Sequence, residues 1–360
     1  MTRPRPARHP AADRGGPVEW SAVERILAVR ADNLGDVVML TPALRALRRA
    51  APKARIDLLA SPAGAAVVPL LPGVAGVLTA SVAWQQIDAG PVNRADTERD
   101  LVERLRAGRY DVMLVFTSPT QSPWPAAYAG LLAEIPVRAV HSAEFGGAVA
   151  THWITPPPDG THQVDRCLHL LAALGVPPAG PALELRTPAG AGVDDPYVLL
   201  APGGSCPSKR YPADRFGQAA GIVASAGIDV LVTGPPAERE LIESVVDGAG
   251  SARVRPLTGL DVPALAAAVA GADVLLCNNS GCMHLADAVR VPVVVTYAGT
   301  ERITDMGPRS TTSILLRQEV SCSPCRQFRC PYRQECLDVD PAVVAAAVLR
   351  LVSRLEACPA

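Results

Sequence analysis

The sequence predicts an α/β chain of two domains, each a parallel sheet with helices wound on both faces. Three observations carry this. Short apolar runs of strand length alternate with amphipathic stretches of helix length, the pattern of strands joined by helical crossovers. A segment dense in Pro, Gly and Ala, Gly175 to Pro196, interrupts the alternation near mid-chain, and a fresh apolar strand, Tyr197 to Ala201, restarts it. A length of 360 residues suffices for two ordinary domains, each with its own core. The boundaries read from these features are a disordered tail at 1–22, a first domain at 23–180, a linker at 181–196, a second domain at 197–340 and a final helix at 341–360.

Composition narrows the function classes. With 34 basic and 35 acidic residues the net charge is -1, so no global basic field argues for nucleic acid. Aromatic residues make up only 4%, which suits tightly packed α/β layers and offers no platform for stacking bases. The opening MTRPRPARHPAADRGGP has no apolar run and reads as a tail, not as a signal peptide. The uncharged run from Leu58 to Ile87 is long enough to cross a bilayer, but Pro62, Pro69, Pro72, Gly64, Gly73 and Gly76 divide it into strand, helix, turn and strand. The expectation is a cytoplasmic protein whose nine cysteines are reduced thiols or metal ligands rather than a disulfide framework.

The first domain opens at Arg25 with an apolar strand, a loop, and an amphipathic helix carrying Leu40, Leu44 and Leu47. Gly35 and Asp36 close that loop, where an aspartate either complements the helix dipole or does chemistry. Strands are expected at Arg55 to Ala60, Val77 to Ala80 and Asp111 to Thr117, and a helix over Thr97 to Arg106. The Ser/Pro/Thr-rich loop Phe116 to Trp124 follows a strand and so borders the site. His162 and His169, on the amphipathic helix ending at Leu174, read as surface or packing residues.

In the second domain the strand ending at Ala201 runs into PGGSCPSKRYPADRF. Gly203, Gly204, Ser205 and Ser208 offer backbone and hydroxyl donors there, and Lys209 a cation, without the spacing of a Walker motif. The alternative is a solvated lysine ahead of a helix. The strand Ile228 to Thr233 leads to Glu238 in the first turn of a helix, and Thr258-Gly259 precedes an Ala-rich helix. Cys322, Cys325, Cys330 and Cys336 fall within fifteen residues and read as a zinc-type structural knot, with paired or packed thiols as the alternative.

The most informative stretch is Asp273 to Gly299, a strand (Val274 to Cys277), a polar turn (Asn278 to Gly281), a short helix bearing His284, and a second strand (Val291 to Thr296). In open parallel sheets ligands sit at the carboxyl ends of strands, where a helix N-terminus turns free N–H groups and partial positive charge towards an anion. Ser280 and Gly281 fall there: Ser280 is suited to cap the helix and to donate to a phosphate oxygen, and Gly281 lets the backbone come close. His284 lies one turn on, towards the same mouth.

The turn Asn278-Asn279-Ser280-Gly281-Cys282-Met283-His284-Leu285-Ala286 resembles the N-D-S-G-P-M-H-L-A signature of the family 9 glycosyltransferases, the heptosyltransferases. Arg30, Leu34, Gly35, Asp36, Val37, Thr41, Pro42, Ala43 and Leu44 match that family's opening motif, and the Lys209 segment resembles its phosphate-gripping loop. The resemblance covers Arg25 to Leu355. It implies a GT-B architecture, two Rossmann-like domains facing one another across a cleft, the first taking the acceptor and the second the nucleotide sugar, with the final helix packing back on the first domain.

The resemblance further implies an inverting glycosyltransferase using a nucleotide-diphosphate sugar, ADP-heptose, and a hydroxyl of a cell-surface glycan or glycolipid acceptor, with peripheral contact at the inner membrane face. Asp36 would be the general base. Ser205, Lys209, Ser280, Gly281 and His284 would line the donor diphosphate, Glu238 its ribose, and Thr258 and Gly259 the adenine. Catalysis would need no cofactor, no Asp-x-Asp metal motif being evident, and the cysteines would hold a structural zinc outside the cleft. Two positions depart from the signature. Asn279 replaces an aspartate that holds donor sugar hydroxyls and Cys282 a proline, so the donor is expected to present a different pattern of hydroxyls, or an acceptor group, to the Asn279 amide. A nucleotide-sugar epimerase and a non-catalytic scaffold of the same fold are the alternative readings.

Overall fold

A computed structural model describes residues 15–85, 95–186 and 196–357, with side chains to residue 355. The chain divides into two compact units at Pro181/Ala182.

The first unit runs β1 (Arg25–Arg30), α1 (Leu34–Val38), α2 (Thr41–Ala50), β2 (Arg55–Ala60), α3 (Pro62–Ala65), β3 (Gly76–Thr79), α4 (Ala95–Gly108), β4 (Val112–Val115), α5 (Trp124–Leu132), β5 (Val137–His141), β6 (His152–Ile154) and α6 (Gln163–Ala173). Its strands pair in the order β3-β2-β1-β4-β5-β6, all parallel. The middle strands are apolar between their ends because helices cover both faces. One such layer joins Leu27, Val29, Met113, Val115 and Trp153 with Leu101 and Leu105 of α4 and Ala126 and Ala127 of α5.

The second unit repeats the plan with β7 (Tyr197–Ala201), α7 (Ala213–Ser225), β8 (Asp229–Thr233), α8 (Arg239–Ala249), β9 (Val254–Leu257), α9 (Val262–Ala270), β10 (Val274–Asn278), α10 (Gly281–Val289), β11 (Val293–Thr296), α11 (Ile303–Met306), β12 (Ser313–Leu316) and α12 (Pro341–Ala357). Its order, β12-β11-β10-β7-β8-β9, is the same winding as the first. All five pairings are parallel. In each unit the strand order reverses between the first and fourth strands, and a crevice opens at their carboxyl ends. That crevice lies between β1 and β4 in one unit and between β7 and β10 in the other, so the loops that follow these four strands are where ligand chemistry belongs.

Two expectations change. Residues 15–22 are not a free tail: Trp20 is buried and its indole N–H donates to the carbonyl of Leu174 at 3.0 Å, tying the segment to the end of α6. The tail at 1–14 and the central part of the linker, 187–195, lie outside the described residues, as do Gln86 and Ile87 of the long uncharged run. The final helix belongs to the second unit, since Val344, Ala345, Val348 and Leu351 are buried in one core with Val198, Phe216 and Val274. Burying side chains of this size is worth roughly 1.5–3 kcal/mol each, enough to fix α12 there. Among the described residues no helix is long and apolar enough to cross a membrane.

Candidate functional site

In the first unit the crevice is organised by Arg30, the last residue of β1, whose side chain is completely buried. Its Nη2 donates to Oδ1 of Asp36 at 2.7 Å and to the hydroxyl of Ser118 at 2.8 Å, while Nε lies 3.1 Å from Oδ2 of Asp32. Gln121 completes the link from the loop after β4, donating to Asp32 at 2.6 Å and to Gln85 at 3.1 Å. A buried guanidinium needs compensating charge. Burial alone lowers the Arg30 pKa, but Asp32 and Asp36 more than offset this and raise it. Burial pushes the Asp32 carboxyl up against the pull of Arg30. His141, at the end of β5, is pushed down to about 3 by burial and by the nearby charges of Arg166, His169 and Arg30, and is neutral.

Asp36 sits in the first turn of α1 with its side chain 19% exposed. Among the described residues nothing donates to its second carboxylate oxygen, Oδ2. The carboxylate is thus oriented through one oxygen and open at the other, the arrangement a proton acceptor requires. His162 accepts from the N–H of Val164 as the N-cap of α6, and His169 contacts the carbonyl of Thr155 at 2.9 Å, so both are structural.

In the second unit Asn278 ties the two crevice loops together. Its amide donates to the carbonyls of Pro202 (2.7 Å) and Gly203 (3.1 Å), and its oxygen accepts from the Tyr211 N–H (2.9 Å) and the Thr296 hydroxyl (2.7 Å). This holds the Gly203–Lys209 loop against the end of β10. Glu238 lies over that loop, and a Cβ on Gly203 would stand 2.0 Å from its Oε2, so only glycine fits there. Glu238 accepts from the Gly204 N–H and stands 3.6 Å from Arg210; burial nevertheless raises its pKa. It is the N-cap residue of α8, one position before the helix rather than in its first turn. Burial near the Glu238 charge pushes the Cys282 thiol up to about 12, which makes it a packed side chain and a poor nucleophile.

Ser280 occupies the N-cap position of α10 but makes no side-chain cap bond, contrary to expectation. Gly281 is the first residue of that helix and His284, buried, is one turn on. Ser205 is exposed on its loop. Thr258 and Gly259 are exposed beyond β9, at the sheet edge and two strands from β7, about 10 Å across the sheet.

Two residues depart most from the sequence reading. Lys209 is not solvated: its ammonium pairs with Oε1 of Glu301, a residue the sequence reading passed over. Asn279 likewise points its amide nitrogen at Oε2 of Glu301, at 2.7 Å. A turn containing a carboxylate just past β11 was the available signal.

The four cysteines lie beside this group and not apart from it. Cys325 and Arg326 donate their N–H groups to the carbonyls of Gly299 (3.0 Å) and Thr300 (3.1 Å), and the Ser208 N–H donates to Phe328 (3.2 Å). The thiol of Cys336 accepts from the Gly299 N–H; burial and the neighbouring Cys330, Cys325 and Cys322 raise its pKa, so the sulfurs gather in one lobe. A soft thiolate set suits zinc, but among the described residues no three ligating side chains come together as a metal-binding group. The hydrogen bonds named above join this lobe to the turn that carries Glu301. An Asp-x-Asp spacing does occur, at Asp338 and Asp340, but Asp338 pairs with Arg215 (2.7 Å) and Asp340 accepts from the Ala342 N–H at the start of α12 (2.8 Å).

Known proteins share this fold. Residues 98–335 match the model of glycosyltransferase family 9 (heptosyltransferase). Lipopolysaccharide heptosyltransferase 1 of Pseudomonas aeruginosa is 26% identical over 318 residues, 86% of this chain and 88% of that protein. Among solved structures, a family 9 glycosyltransferase of Veillonella parvula superposes with a TM-score of 0.75 at 20% identity, covering 94% of this chain and 99% of the other. The Escherichia coli ADP-heptose lipopolysaccharide heptosyltransferase II gives 0.72 at 20% identity, covering 92% and 99%.

Proposed function

Because the chain belongs to glycosyltransferase family 9, the heptosyltransferases, we propose that it transfers a heptose from ADP-heptose to a hydroxyl of a lipopolysaccharide core acceptor, with inversion at the anomeric carbon. Family membership makes it a glycosyltransferase and sets aside the epimerase and scaffold readings. The observation that carries the reading is the Asp36 carboxylate, anchored to buried Arg30 through one oxygen at the carboxyl end of β1 and open at the other.

Asp36 accepts the proton of the acceptor hydroxyl as that oxygen attacks the anomeric carbon from the face opposite the leaving diphosphate. The bond to the diphosphate breaks, and the charge growing on ADP is met by Lys209, by the Ser205 and Ser280 hydroxyls and by the N-terminal amides of α10 around Gly281. Glu238, half-buried against Gly203, is suited to a ribose hydroxyl, and the Thr258-Gly259 turn to the edge of the base. Acceptor in the first unit and donor in the second remain the assigned roles. ADP is taken from the Escherichia coli ADP-heptose heptosyltransferase II, 20% identical to this chain, so the base and sugar are parts of the proposal.

The test is direct. Purified protein is incubated with ADP-heptose, and separately with GDP-, UDP- and dTDP-sugars, in the presence of truncated lipopolysaccharide; ADP release and a heptose mass increment on the acceptor are followed, and the product's anomeric configuration is read by NMR. Transfer from ADP-heptose alone, with inversion, is expected. Transfer from another nucleotide sugar would replace the donor assignment, and a retained configuration would remove the single-displacement mechanism.

A further inference from the structure

The carboxylates and amides around Lys209 lead to a residue that nothing above assigns to the reaction. The Asn279 side chain has one acceptor oxygen and two donor hydrogens. The oxygen accepts from the backbone N–H of Ala298 at 3.0 Å. The nitrogen donates to Oε2 of Glu301 at 2.7 Å and approaches the Thr300 hydroxyl at 3.4 Å. The amide is therefore fixed in one orientation, and with the residue only 4% exposed little of it is open to a sugar.

Glu301 is built differently. Its Oε1 is paired with the Lys209 ammonium, and its Oε2 accepts from Asn279 and from the Thr300 hydroxyl at 2.9 Å. The side chain keeps 26% of its surface exposed. A carboxylate offers about four acceptor sites, and three are taken here. It lies just past the carboxyl end of β11, next in the sheet to β10, on the same edge as the Lys209 loop and the α10 N-terminus. The peptide before it is clasped by Cys325 and Cys336 through Gly299, which fixes where the side chain starts.

We propose that Glu301 is the carboxylate that holds a hydroxyl of the donor sugar, and that Asn279 is its positioning residue, not a sugar contact. This rests on the donor reading given above. The negative charge that position 279 lacks is supplied from position 301, and the two positions are coupled. An aspartate at 279 would still accept from Ala298, but its other oxygen would stand where the amide nitrogen is now, 2.7 Å from Oε2 of Glu301. Two carboxylates at that distance do not both ionise. Asn279 is thus the side chain that a carboxylate at 301 demands. Lys209, paired with Glu301, sets its positive charge on the same loop edge as the diphosphate site.

The experiment is calorimetric titration of the full chain with ADP and with ADP-heptose, taking the ratio of the two dissociation constants as the readout. ADP binding reports an intact nucleotide site in every variant, so the ratio is insensitive to general loss of fold. Glu301→Gln is expected to weaken ADP-heptose relative to ADP by about ten- to a hundredfold, the size of a hydrogen bond to a charged group. Asn279→Asp is expected to shift the ratio in the same direction. The reversed pair, Asn279→Asp with Glu301→Gln, keeps one carboxylate and one amide in contact and is expected to bring the ratio back towards that of the unaltered protein.

A ratio unchanged in Glu301→Gln, or equal losses of both ligands, overturns the sugar contact while leaving the donor assignment standing. A reversed pair no better than Asn279→Asp alone overturns the coupling. Failure of the unaltered protein to bind ADP or ADP-heptose overturns the donor reading, and this role with it.

Discussion

Arg30 and Asp36 meet at 2.7 Å, Nη2 to Oδ1, and this contact turns a residue of the first helical turn into an oriented base. Asp36→Asn keeps the shape and an oxygen for Arg30 but cannot take a proton. Its turnover is expected to fall by ~10²–10⁴-fold, the usual contribution of a general base, while ADP-heptose affinity stays nearly unaltered. Steady-state kinetics alongside calorimetry checks this; full turnover would remove Asp36 from the mechanism.

Lys209 shares its charge with Glu301. Lys209→Ala is expected to weaken ADP binding by roughly 1.5–3 kcal/mol, a charge-assisted contact. It also leaves a carboxylate beside the diphosphate without its cation. The double variant Lys209→Ala with Glu301→Gln should therefore bind ADP better than Lys209→Ala alone. Equal affinities in the two variants would mean that Glu301 does not feel the diphosphate.

The cysteine lobe is predicted to support the donor loops. Cys336 engages the Gly299 backbone, whereas Cys322 is exposed. Cys336→Ala is expected to weaken ADP binding by less than the loss of Lys209 does, and Cys322→Ser to leave it unaltered. Calorimetry on the two variants separates them; equal effects would speak for a role of the sulfurs as one set.

His141 gives stability a pH dependence whose sign follows from its direction of shift. Its folded pKa, about 3, lies below the ordinary 6.5. The unfolded chain therefore binds the extra proton first. The contribution is fully present above pH 6.5 and is lost as pH falls below it, at up to about 1.4 kcal/mol per pH unit. Urea unfolding at pH 7, 6 and 5 should show a steeper decline for the unaltered protein than for His141→Gln. Parallel curves would mean that the imidazole is protonated in the folded state.

Much of the sheet was legible because apolar runs of strand length end at turn formers. Arg55–Ala60 and Tyr197–Ala201 have the bounds that their sequences predict, since Ser61-Pro62 and Pro202-Gly203 follow them. Four strands were not recognised: β6, β9 and β12 sit at sheet edges, and β5, though interior, has Arg138 and His141 within its five residues. β6 has three residues, and β9 carries Arg255 and Pro256, which only an edge strand tolerates. Trp20 looked like part of a polar tail because the carbonyl that receives its indole, that of Leu174, is 154 residues away. The final helix showed an apolar stripe, and nothing in a stripe says which of two cores receives it.

By itself the sequence determined which residues stand at the carboxyl ends of the strands. A strand, a tight turn and a helix start are local patterns, and local patterns place Asp36, Lys209, Asn279 and Ser280 in the crevice loops. Only the tertiary structure decided what each of them touches. Asn279 reads as a sugar ligand until the amide of Ala298 and the carboxylate of Glu301 are seen to occupy it, and Lys209 reads as a free cation until Glu301, 92 residues on, is found against it. A side chain's donors and acceptors go to partners that the winding of the sheet brings alongside. Such partners leave no periodicity in the chain from which they could be read.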